Sequence, residues 1–120
     1  MSYKENNYEF STQLSIQEIA SLLDHAFRKI GVEQREAISG YPADIALRVS
    51  GRTAIFSPLI FLIDIYVWNN GPNRTVRLIA LGSDAGTFLR TSLTREQGVY
   101  AEMKASKRMR DKILHVFPSE

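Results

Sequence analysis

With 120 residues, 44% of them hydrophobic and 23% charged, the chain has the size and apolar content of one domain, far from the composition of disorder. It contains no cysteine, which excludes disulfides, thiolate metal sites and a cysteine nucleophile and fits a reducing compartment. The net charge of +2 is compatible with a nucleic-acid partner without pointing to one.

The opening residues lack the charged-then-apolar run of a signal peptide. The most apolar stretch, Leu59 to Trp68, is ten residues long and holds Asp64, too short for a membrane-spanning helix. A cytoplasmic protein without a membrane partner is expected. It should form a single domain over 1–120, with flexible ends at 1–7 and 118–120.

In chain order, Tyr8 to Thr12 reads as a short edge strand. Ser15 and Glu18 have capping-box spacing and open a helix. Its apolar stripe is Ile16, Ile19, Ala20, Leu23, Ala26, Phe27 and Ile30, and Gly31 is the expected left-handed stop. His25 falls opposite the stripe. Residues 31–44 are ambiguous and end in the turn-rich Ser39 to Asp44.

Ile45, Leu47 and Val49 alternate with Ala46 and Arg48 as a half-buried strand does. Ser50, Gly51 and Arg52 are expected to close a three-residue hairpin into a second strand, Thr53 to Ser57. Pro58 interrupts the pattern before a long strand from Leu59 to Trp68. The turn Asn69 to Asn73 then returns the chain as a strand from Arg74 to Leu81.

Pairing Asn69 with Arg74 sets Val67 opposite Val76, Ile65 opposite Leu78 and Ile63 opposite Ala80, one wholly apolar face for helices to cover. Ile45, Leu47, Val49, Ile55, Leu59 and Phe61 share its parity. The other face carries Arg48, Phe56, Leu62, Asp64, Tyr66 and Trp68, and on the returning strand Thr75, Arg77, Ile79 and Leu81. After the connection from Gly82 to Gly86, Thr94 and Gln97 mark the start of a last helix. Val99, Tyr100, Met103, Ser106, Ile113, Leu114 and Phe117 gather on one side of it, with Lys107 and Arg110 among them. The expected fold is α+β in two layers: an antiparallel sheet of about four to five strands packed on one face by two helices, in strand-helix-strands-helix order.

Three groups are candidate binding residues. The mixed sheet face, with Arg48, Asp64, Tyr66, Trp68 and Arg77, has the apolar-plus-polar character of a contact surface, unless the chain's own segments 8–12 or 31–44 cover it. Asp64, lone acid in an apolar run, reads first as a structural ion pair with Arg77 or Arg48 and second as a catalytic acid. Lys107 and Arg110 either snorkel over the rim of the core or line an anion-binding cleft.

The basic positions of the last helix, diluted by Glu102 and Asp111, read as a solvated surface before a phosphate contact. With two histidines and no nucleophile-base or metal spacing, no catalytic residue, metal or cofactor is expected. The function expected is a small non-enzymatic protein-interaction or assembly domain, a homodimer or a subunit with another protein, acting through the mixed face. The alternatives are a nucleic-acid-binding domain using the basic last helix, and a small anionic-ligand binder or enzyme with a helix-sheet cleft.

Overall fold

The computed structural model describes residues 6–53, 59–82 and 95–118, with side chains in the last segment from Met103 onward. The described elements are β1 (Asn7–Thr12), α1 (Ile16–Ile30), β2 (Gln34–Ala37), β3 (Ile45–Arg52), β4 (Ile60–Asn70), β5 (Asn73–Leu81) and α2 (Arg95–Leu114). The fold is α+β: one five-stranded antiparallel sheet in the order β1-β5-β4-β3-β2, with two helices. Strands β1 and β2 are the two edges, so α1 carries the chain across the whole width of the sheet.

Local chemistry accounts for each boundary. Ser15 and Glu18 make the reciprocal capping box, each backbone N–H donating to the other's side chain at 3.1 Å. Gly31 ends α1 at φ 78° and donates its N–H to the Phe27 carbonyl. Between β4 and β5, Asn70 pairs with Asn73 around Gly71 and Pro72, and Gly71 takes φ 70°. A glycine at positive φ is what the first central position of a two-residue II′ hairpin calls for, and the fixed negative φ of proline suits the second.

The β4–β5 register is the expected one, with Val67 opposite Val76, Ile65 opposite Leu78 and Ile63 opposite Ala80. Strand β3 extends the same apolar face, Val49 meeting Ile63 and Leu47 meeting Ile65. The buried residues Ile19, Leu23, Ala26, Phe27 and Ile30 of α1, with Met109 and Ile113 of α2, join it in one core. At the end of the β4–β5 ladder the buried Ser106 hydroxyl of α2 donates to the Leu81 carbonyl at 2.7 Å and accepts from the Leu62 N–H at 2.9 Å. That contact fixes α2 against the sheet.

The hairpin expected at Ser50 to Arg52 is not present. Strand β3 runs through it, with Ser50, Gly51 and Arg52 opposite Leu62, Phe61 and Ile60 of β4. The glycine is there for close approach: a Cβ on Gly51 would lie 2.6 Å from the Gly31 carbonyl oxygen and 2.9 Å from the Phe61 ring. The strand expected at Thr53 to Ser57 and the Pro58 interruption lie, beyond Thr53, outside the described residues, as do Thr94 and most of the 82–86 connection. β1 begins at Asn7, paired with Ile79, one residue into the end expected to be flexible. The ambiguous 31–44 segment supplies β2, paired with β3.

Candidate functional site

The sheet face turned away from the helices is built by strand parity. From β4 it takes Leu62, Asp64, Tyr66 and Trp68; their register partners are Ser50, Arg48 and Ala46 on β3 and Leu81, Ile79, Arg77 and Thr75 on β5. Strand β1 adds Glu9 opposite Arg77. The connection between β2 and β3 folds onto this face: Asp44 donates its N–H to the Val67 carbonyl at 2.8 Å and accepts from the Asn69 N–H at 2.7 Å through its carboxylate. Those two bonds hold Tyr41 against the sheet.

Tyr41, Tyr66 and Trp68 make one aromatic cluster. The ring centroids lie 4.2 Å apart for Tyr41 and Tyr66, 5.9 Å for Tyr66 and Trp68, and 5.9 Å for Tyr41 and Trp68. The Arg77 guanidinium sits 5.1 Å from the Trp68 ring centre and donates to Glu9 Oε1 at 3.1 and 2.9 Å. Beside the cluster, Arg48 holds Asp64 through both carboxylate oxygens, at 2.7 and 2.9 Å.

Burial divides the group. Asp64 and Tyr66 are buried, while Tyr41 keeps 38% of its surface exposed and Trp68 is half-buried. Removal from water pushes the Tyr66 phenol above the usual tyrosine range, with the neighbouring Asp64 charge adding to it. The hydrogen bonds from Arg48 to Asp64 likewise raise Arg48 above its ordinary value.

Five of the candidate residues, Arg48, Asp64, Tyr66, Trp68 and Arg77, therefore share one surface. Lys107 and Arg110 do not join it. Arg110 is buried on α2 and donates to the Asn6 carbonyl at 2.9 Å and to Asp111 at 3.1 Å, tying the helix to the start of β1. Lys107 is half-buried on the same helix.

Comparison with protein-family models, curated proteins and solved structures finds no match to this chain. The surface has to be read from its own chemistry. Among the described residues no group of three or more histidine, aspartate or glutamate side chains could hold a metal. None of their helices is long and apolar enough to cross a membrane.

Two residues of the surface lay beyond sequence reasoning. Tyr41 stands in the Gly40-Tyr41-Pro42 turn, where no periodicity assigns a side chain to a face. Glu9 could be matched to Arg77 only once β5 was known as the partner of β1. The alternation from Arg74 to Leu81 already exposed Arg77, so the missing signal was the identity of the edge strand.

Proposed function

We propose that this chain is a non-enzymatic protein-interaction and assembly domain that binds a second copy of itself through the sheet face turned away from the helices, which the 31–44 segment covers only in part. The observation that carries this reading is the Tyr41–Tyr66–Trp68 cluster with Arg77 over the indole. Tryptophan, tyrosine and arginine are the residues that dominate binding energy at protein contacts, and here Tyr41, Trp68 and Arg77 are clustered and only partly covered. The buried Asp64 and Tyr66 beneath give the exposed rings a rigid base, which lowers the entropy lost on docking.

The charge pattern favours a protein partner over nucleic acid. Arg48 and Arg77 are each already engaged by a carboxylate, and Glu36 shares the face. Neutralised arginines offer little counterion release to a phosphate backbone. An anion cleft at Lys107 and Arg110 is disfavoured in turn by the commitment of Arg110 to Asn6 and Asp111.

The test is solution mass by light scattering on a sizing column, with folding checked by circular dichroism. A Trp68→Ala, Tyr41→Ala double variant leaves the buried Tyr66 and Asp64 in place. It is expected to weaken self-association by about 2 kcal/mol or more, roughly thirtyfold in Kd. An assembly mass identical for wild type and variant at every concentration rejects the open face as a contact.

A further inference from the structure

The two edges of the sheet are protected unequally. Strand β2 is four residues long, exposed throughout, and carries Arg35 and Glu36, the charges with which natural edges resist pairing. Strand β1 is six residues long and has one charge, Glu9, which pairs with Arg77 of the neighbouring β5. It also presents Tyr8, 46% exposed, the most exposed large hydrophobic residue among those described. Beside β1, on the helix side, lies a recess of about 370 Å³ lined by Tyr8, Phe10, Thr12, Leu114 and Phe117.

We infer that the outer edge of β1 pairs with β1 of a second copy, antiparallel about a two-fold axis at Phe10, joining two five-stranded sheets into one of ten. Such an axis stands perpendicular to the sheet, so the partner's residue facing each position has the same parity and both helix layers stay on one side. A centre at Glu9 would oppose two Glu9 carboxylates, which is destabilising. A centre at Phe10 instead opposes Glu9 to Ser11 of the second copy, and Phe10 to Phe10.

The side chains suit that register. The two bonds from Arg77 to Glu9 both go to Oε1, which leaves Oε2 to accept from the facing Ser11 hydroxyl. Tyr8 of each copy comes opposite Thr12 of the other, on the side of the recess, and fills it. A six-residue edge joined by main-chain bonds and one recess is a small contact, so the pairing depends on concentration.

This contact rests on the β1 edge and is independent of the open-face reading; where both form, the assembly is a dimer of dimers. Light scattering across a concentration series tests it with Ser11→Glu, Ser11→Lys and Tyr8→Ala, each checked for folding, beside the Trp68→Ala, Tyr41→Ala variant. Ser11→Glu sets a second carboxylate against Glu9 and is expected to halve the mass at concentrations where the wild type is assembled, as is Tyr8→Ala. Ser11→Lys acts at two symmetric positions and is expected to lower the assembly midpoint about tenfold. A contact of this kind persists when the open-face variant is introduced. The inference is overturned by a wild type that is monomeric throughout, by edge variants of unchanged mass, or by Ser11→Glu and Ser11→Lys acting alike.

Discussion

The two sides of β4 obey different rules, although they alternate along one strand. Phe61, Ile63, Ile65 and Val67 face the helices, are wholly buried, and are interchangeable in kind: each is apolar and each fills volume. Leu62, Asp64, Tyr66 and Trp68 face away, and there each polar or aromatic side chain has its own partner, Arg48 for Asp64, Tyr41 for Tyr66, Arg77 for Trp68. The first side fills volume and the second makes individual pairings. A strand buried this fully on one side can carry an ion pair and an aromatic cluster on the other without losing its register.

The largest expected effect is on the helix side. Phe61→Ala empties a site that is fully buried between α1 and the sheet, and should cost about 3–5 kcal/mol in urea unfolding, with the slope of the transition unchanged. A loss below about 1 kcal/mol would mean that the core collapses into the space and that the two sides differ less than the burial indicates.

The ion pair on the other side predicts an asymmetry. Asp64 keeps 7% of its side-chain surface exposed and Arg48 keeps 43%. Removing Arg48 strands a buried carboxylate, whereas removing Asp64 frees a guanidinium that can turn to water. Arg48→Ala should therefore destabilise by about 3 kcal/mol and Asp64→Ala by about 1–2 kcal/mol. Equal losses in parallel urea titrations would show that the carboxylate reaches solvent once its partner is gone.

How much of this was legible in the sequence follows from the same contrast. The apolar side was readable because period-two alternation and one turn fix a register, and Ser15, Glu18 and Gly31 mark the ends of α1 through local hydrogen bonds. The pairing of Asp64 was readable as a choice between two arginines, because an acid in an apolar strand needs a partner; only the β3–β4 register selects Arg48. Gly51 misled because glycine has two uses. The turn use is local, while the close approach of Gly31 and Phe61 comes from α1 and β4, distant in sequence. Tyr41 and Glu9 were invisible for a like reason, since a turn residue and an edge strand acquire their neighbours only through tertiary docking.

The smallest effect concerns protonation, and it bears most directly on the specific side. The Tyr66 phenol is held above the ordinary tyrosine range by its removal from water and by the charge of Asp64. The folded state thus binds that proton more tightly than the unfolded chain, whose tyrosines ionise near pH of about 10. The contribution is fully present below that pH and is lost as pH rises towards the folded value, because the unfolded state deprotonates first. Stability of the wild type should consequently fall more steeply above about pH 10 than that of Tyr66→Phe, while at neutral pH the two stay close. Phenolate absorbance provides the second readout: Tyr66 should contribute a component that titrates later than an exposed phenol, and Tyr66→Phe should remove that late component. If the late component survives in Tyr66→Phe, another tyrosine is the desolvated one, and the rigid base attributed to Tyr66 under Tyr41 and Trp68 is open to water.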